Sequence, residues 1–138
     1  CIYYGEENGM QGDGDAFNRH PMIWDTKSWK VSVRKKYEQL IALRKSEPAI
    51  QTGDMRFLYK DEKTFAFLRE DESKAFLTII HKGCSEKLFL PLWKNGYISG
   101  TAEQIFPSKI PKLLPIKNGF LELRLKTTNG LIFSITNK

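Results

Sequence analysis

The side chains best able to do chemistry crowd into the first twenty positions. Glu6 and Glu7 stand together, Asp13, Asp15 and Asn18 follow at short intervals, and Arg19 lies four residues beyond Asp15. Two carboxyls about 5–10 Å apart across one cleft would suit general acid and nucleophile roles. Adjacent residues on an extended segment point to opposite sides, so Glu6 and Glu7 are poorly placed to serve together. One of them is expected to hold neighbouring backbone or an arginine instead. Asp13-Gly-Asp15-Ala-Phe-Asn18 opens like a calcium loop. It places Phe17 where an oxygen ligand is required and lacks the glycine of the next place, so no EF-hand is expected and calcium is left unassigned. No cofactor is expected, because the glycines form neither a Gly-Lys-Ser/Thr cradle nor a dinucleotide fingerprint. His20 and His81 lack a matched ligand or nucleophile, and a surface or capping role is expected of both. Asp15 and Arg19 remain. A carboxylate accepts hydrogen bonds from sugar hydroxyls and a guanidinium offers a planar fork of donors, so the two would fix a sugar ring. An internal salt bridge holding the loop is the competing role, and both can hold at once.

Positioning these residues requires ordered elements on either side. Cys1–Tyr4 is a short apolar run ending at Gly5, and its pattern predicts a strand buried on both faces. Residues 5 to about 29 show no clean period, and a loop that long is expected to line a binding site. Val33, Tyr37, Leu40, Ile41 and Leu43 recur at three- and four-residue steps and predict a helix from about Lys30 to Ser46, capped by Ser28 or Ser32 and ended by Pro48. From Gly53 the character changes. Met55–Tyr59, Thr64–Arg69, Ala75–His81 and Lys87–Leu90 are short β-rich runs separated by turn clusters, and Phe65, Phe67, Phe76 and Phe120 are expected in the core. Phe120–Lys126 alternates, with Leu121, Leu123 and Leu125 on one face. Asn118-Gly119 and Asn129-Gly130 both predict tight hairpin turns. Short strands closing on such turns predict an antiparallel sandwich or barrel.

Composition bounds the rest. The 138 residues are 41% hydrophobic and 28% charged, which is globular rather than disordered. No apolar run approaches the ~20 residues of a membrane-spanning helix, so no membrane partner is expected. The net charge is +6. Arg34, Lys35 and Lys36 share their helix with acids, and the other positive residues sit on polar strand faces, so a nucleic-acid partner is not expected either. Cys1 and Cys84 provide no disulfide framework. The abrupt apolar opening, with Cys rather than Met first, leads us to expect a piece of a longer protein.

With these residues in view, four blocks resemble the alpha-amylase family of glycoside hydrolases. Cys1-Ile-Tyr-Tyr-Gly-Glu-Glu-Asn-Gly-Met10 is similar to the family's last barrel strand, G-x-P-x-I-Y-Y-G-x-E-x-G. Asp15-Ala-Phe-Asn18-Arg19 resembles the D-P-x-N-R of its final βα loop, with Ala16 in place of the usual Pro. Pro21-Met22-Ile23-Trp24-Asp25 matches P-M-x-W-D, and Tyr37 to Arg44-Lys45 with Pro48-Ala49-Ile50 resembles Y-x-x-L-I-x-L-R-K…P-A-L. The nearest flavour is the neopullulanase, cyclomaltodextrinase and maltogenic amylase group. Residues 93–115 follow no pattern of the family.

The resemblance implies a mainly β chain. Residues 1–52 would be the last strand, loop and helix of a (β/α)8 barrel, and residues 53–138 an antiparallel β-sandwich C-terminal domain. It implies a parent that is a retaining glycosidase acting on α-glucans such as maltooligosaccharides, cyclodextrins or pullulan. Its nucleophile Asp, acid–base Glu and stabilising Asp would lie on earlier barrel strands, so no catalytic residue is assigned here. Asp15 and Arg19 would contact a glucosyl unit of the substrate, and a cytoplasmic location is expected. Cut from its neighbours, the apolar opening and the face of Tyr37, Leu40 and Ile41 would lie exposed, re-pack on the sandwich, or pair with another copy as a homodimer. The alternative reading is a non-catalytic β-sandwich module that binds glucan or a protein partner through exposed aromatics such as Trp93 and Tyr97.

Overall fold

The computed structural model describes residues 1–12, 14–15, 17–107, 112–126 and 128–137, the side chain of Phe17 aside. The chain divides into two compact units, Cys1–Glu47 and Pro48–Lys138.

In the first unit the strand expected over Cys1–Tyr4 is absent. Residues 1–3 carry no regular structure, and Ile2, Tyr3 and Tyr4 are 47%, 50% and 43% exposed. A parallel strand forms only against neighbours that take its backbone hydrogen bonds, and among the described residues none pairs with it. Gly5, at φ 84°, turns the chain into a 3-10 turn at Glu6–Asn8. The helix is present as α1, Val31–Ser46. Neither serine caps it. Lys30 occupies the N-cap with no side-chain hydrogen bond, and its backbone N–H donates to the Asn8 carbonyl at 2.9 Å. Leu40 and Ile41 lie 38% and 41% exposed.

The second unit opens with Pro48 starting the short helix α2, Pro48–Thr52, where the missing N–H costs nothing. Among the described residues eight strands follow: β1 Asp54–Lys60, β2 Thr64–Glu70, β3 Ala75–His81, β4 Glu86–Pro91, β5 Gly100–Phe106, β6 Leu113–Lys117, β7 Phe120–Leu125 and β8 Asn129–Asn137. All pair antiparallel in one sheet of order β1-β2-β3-β8-β5-β6-β7-β4. The expected sandwich layers are therefore halves of a continuous sheet. It folds over one core built from Leu68, Leu77, Ile79, Leu90, Leu121 and Phe133 with their smaller neighbours, and its two edge strands, β1 and β4, come into contact.

The turns follow local side-chain chemistry. Asp61 Oδ1 accepts the backbone N–H groups of Lys63 and Thr64 at 2.7 and 2.6 Å, and Asp71 does the same for Ser73 and Lys74. The Tyr59 hydroxyl bond first, then these backbone bonds, hold the Asp61 carboxyl below the usual carboxylate range. Asn118 and Gly119, at φ 50° and 76°, make the predicted β6–β7 hairpin. Asn129 and Gly130 do not turn. They open β8 and pair with His81 and Ile80. Gly100, at φ 144°, passes so close to the Thr136 carbonyl that a Cβ has no room.

Three of the four phenylalanines expected in the core lie elsewhere. On β2, Ala66 and Leu68 face the core, while Phe65 and Phe67 lie outward and half-buried in a tilted row with Phe57, with centroids 5.4 and 5.6 Å apart. Phe120 is 43% exposed, whereas Phe76 is buried as expected, beside rather than within the main core cluster. Alternation fixed two faces, but residue size did not tell which was inward. Tyr97 is half-buried, its hydroxyl donating to Glu70 Oε2 at 3.0 Å, and desolvation first, then that bond, pushes its pKa up to about 12.

The register of β7 carries a direct test. Leu121 is fully buried, whereas Glu122 pairs with Lys87 at 2.6 Å on the open face. Leu121→Ala should cost about 2–5 kcal/mol in urea unfolding, and Glu122→Ala no more than about 1 kcal/mol. Equal losses would contradict the register.

Candidate functional site

Within the first unit, described residues between positions 3 and 20 enclose an open cleft of about 470 Å³, lined by Tyr3, Tyr4, Glu6, Asp15, Arg19 and His20 among others. That volume lies within the ~300–1,000 Å³ typical of small-molecule sites. Asp15 and Arg19, the two residues singled out by spacing, meet at its rim. Arg19 Nη2 donates to both carboxylate oxygens of Asp15, at 3.3 and 3.1 Å. A 3-10 turn at Phe17–Arg19 brings the guanidinium back over the carboxylate. The side chains of Arg19 and Asp15 are 72% and 87% exposed. An ion pair so open is worth at most about 1 kcal/mol. Exchange of part of it for a ligand is therefore cheap, and the other guanidinium N–H groups and the carboxylate lone pairs stay available. The salt-bridge and sugar-binding roles of the pair are physically compatible.

Tyr3 and Tyr4 of the apolar opening supply part of the remaining lining. The Tyr4 hydroxyl donates to the His20 carbonyl at 2.8 Å, joining the two ends of the loop. Desolvation first, then its hydrogen bond with Tyr3, raises the Tyr4 pKa above the ordinary tyrosine value. The two ring centroids lie 4.6 Å apart with the planes tilted by 40°, an aromatic wall beside the charged pair. Glu6 accepts the Tyr3 backbone N–H at 3.3 Å, which is the backbone-holding role expected of one glutamate. Glu7 instead accepts from Asn8 Nδ2 at 3.3 Å. The calcium reading involves Asp13 and Ala16, which lie outside the described residues. Among the described residues no group of three or more His, Cys, Asp or Glu side chains could hold a metal ion.

Two residues that sequence reasoning passed over hold the loop in place. Asn8 is 1% exposed, and its Oδ1 accepts from Arg34 Nη1 of α1 at 2.7 Å. Arg34 is itself steadied by Glu38 at 3.0 Å and by the Trp29 ring at 4.7 Å. A polar residue between two glycines was the available signal, since a buried amide there must find partners. His81, expected at the surface or in a cap, is fully buried in the second unit and belongs to a different network.

No family model matches the chain. It is 36% identical over 84 residues to the cyclomaltodextrinase of Geobacillus thermopakistaniensis, covering 59% of this chain and 14% of that one. It is 28% identical over 138 residues to neopullulanase 2 of Thermoactinomyces vulgaris, covering 95% and 22%. Its fold matches the alpha-amylase of Geobacillus thermoleovorans, solved with acarbose, at a TM-score of 0.79 and 18% identity, over 99% of this chain and 29% of that one. This chain resembles the alpha-amylase-family enzymes in sequence and in fold. The four motif blocks and these relatives point to the same cyclomaltodextrinase and neopullulanase group. The alpha-amylase-like chain spans only 14% and 22% of the length of these two curated relatives.

The Asn8 tether predicts a local effect. Asn8→Ala removes its hydrogen bond to the part-exposed, charged Arg34 guanidinium, at about 1–3 kcal/mol. Hydrogen exchange of the first amides of α1 should speed roughly tenfold or more. Unchanged protection would contradict a tethering role.

Proposed function

We propose that this chain is the C-terminal part of an alpha-amylase-family glycosidase that cleaves α-glucans with retention of configuration. Residues 1–52 would complete the barrel and residues 53–138 form its β-rich C-terminal domain. Asp15 and Arg19 would hold one glucosyl ring of the substrate, the carboxylate accepting from hydroxyls and the guanidinium donating to them. The observation that carries this reading is the exposed Asp15–Arg19 pair on the rim of a cleft walled by Tyr3 and Tyr4. The names of the relatives and the acarbose bound to the Geobacillus thermoleovorans enzyme support the substrate class. The carboxylates that break the bond are assigned to the portion of the enzyme outside this chain.

The alternative, a non-catalytic glucan-binding module, has support from Trp93, which is 47% exposed with Lys94 over its ring. Its second aromatic, Tyr97, is half-buried and packs against the core, which leaves less of its ring for a sugar.

Two outcomes follow. In the full-length enzyme, Arg19→Ala should raise KM or lower kcat/KM on maltooligosaccharides at least tenfold, a loss of ~1.4 kcal/mol. Unchanged kinetics would refute the contact. The 138-residue chain alone should release no reducing ends from maltooligosaccharides or cyclodextrin, and turnover above blank would overturn the assignment of the catalytic groups elsewhere.

A further inference from the structure

The buried polar network in the second unit carries an inference about protons. His81 closes β3, is fully buried, and has hydrogen-bond partners on both ring nitrogens. Its Nε2 lies 3.0 Å from the Cys84 carbonyl, and its Nδ1 lies 2.9 Å from Thr64 Oγ1 and 3.3 Å from Glu86 Oε1. Thr64 Oγ1 and Glu86 Oε1 are 3.1 Å apart, which closes a triangle. Thr64, on β2, is itself 1% exposed.

Counting hydrogens shows what the triangle needs. The Cys84 carbonyl only accepts, so Nε2 carries a hydrogen. Thr64 has one hydroxyl hydrogen, and an ionised carboxylate only accepts. If the hydroxyl hydrogen points at Nδ1 of a neutral ring, no hydrogen lies between Glu86, whose side chain is 35% exposed, and either neighbour, and the carboxylate oxygen meets two lone pairs at 3.1 and 3.3 Å. If the hydroxyl hydrogen points at Glu86, Nδ1 must supply its own hydrogen to Thr64 or Glu86. Only the second arrangement satisfies every contact, and unmet groups at a buried site are costly.

We infer that His81 is kept with a hydrogen on each ring nitrogen, as a cation paired with Glu86, and that this clasp makes closure of the sheet depend on a bound proton. The placement gives the clasp its consequence. Thr64 and His81 belong to the β1-β2-β3 end of the sheet, whereas Glu86 begins β4, the strand at the other end. The clasp thus links β2 and β3 to β4, a strand that no described ladder hydrogen bonds join to either.

Charges of both signs surround the ring. From the β1–β2 turn come Asp61, which accepts the Thr64 N–H, and Lys63, whose stem lies near Gly83 beside the ring. Tyr59 of β1 donates to Asp61 at 2.7 Å. Lys82 and Cys84 belong to the loop after β3, and both are exposed. On β8 the residue opposite His81 is the uncharged Asn129. The two carboxylates, Asp61 and Glu86, favour the cation, and the exposed ammonium groups oppose it under strong solvent screening.

The sign follows from the linkage between proton binding and folding. A proton that the folded chain holds and the unfolded chain releases adds stability at low pH, and that stability is lost as the pH rises. The test is long-range proton–nitrogen NMR on the 15N-labelled chain at about pH 7.5, with exposed His20 as the comparison within the chain. His81 should show hydrogens on both nitrogens. In Glu86→Gln the side-chain amide brings its own hydrogen, and the ring should revert to a single hydrogen on Nε2. The thermal midpoint of the unsubstituted chain should fall between about pH 6 and pH 9 by more than that of Glu86→Gln. A bare Nδ1 in the unsubstituted chain, a doubly protonated ring that survives Glu86→Gln, or parallel pH profiles would each overturn the clasp.

Discussion

An antiparallel strand with one apolar face must lay that face against another sheet or leave it in water. This constraint governs the second unit. The inward residues of β7, Leu121, Leu123 and Leu125, cannot be covered by their own neighbours in the ladder, whose inward side chains point the same way. They are covered because the sheet folds over, bringing Leu68, Leu77 and Ile79 of one half into the core cluster that holds Leu90 and Leu121 of the other. Folding a single sheet this way leaves one seam without ladder bonds, between the two edge strands. The side-chain network of Thr64, His81 and Glu86 ties one of those edge strands, β4, to β2 and β3.

The first unit solves a different problem, that of ordering a long irregular segment with few apolar contacts. It relies on single polar links. Tyr4 ties one end of the loop to His20, and Asn8 ties the glycine turn to Arg34 on α1. With those fixed, the Asp15–Arg19 pair stays at the rim in solvent, where it is weak. Weakness suits a ligand contact, since a buried and fully satisfied pair would resist exchange.

How much of this was legible in the sequence differs by the physics involved. Local signals read well. The three- and four-residue period placed α1 to within one residue, the Asn118-Gly119 pair marked a true hairpin, and the β7 alternation separated inward leucines from outward charges. Asp15 and Arg19 were legible because a helical turn brings residues four apart together. Tertiary choices were hidden. Asn129-Gly130 reads like a turn, yet β3 supplies a partner for both residues and the chain stays extended. Phe65 and Phe67 outweigh Ala66 in hydrophobicity but face outward, because the inward side of β2 lies where the two halves of the sheet pack closely. The Cys1–Tyr4 run is strand-like in composition and lacks a strand to pair with. His81 gave no local sign of burial, since its partners lie 17 residues back and 3 and 5 residues ahead.

The central claim is that this alpha-amylase-like chain contributes a sugar contact to a glycosidase whose bond-breaking groups lie elsewhere. A crystal structure of the longer enzyme with a maltooligosaccharide in its cleft tests it most directly. The account predicts the Asp15 carboxylate and the Arg19 guanidinium within about 3.2 Å of hydroxyls on one glucosyl ring. A ring held entirely by other side chains, with Asp15 and Arg19 bonded only to each other, would contradict it.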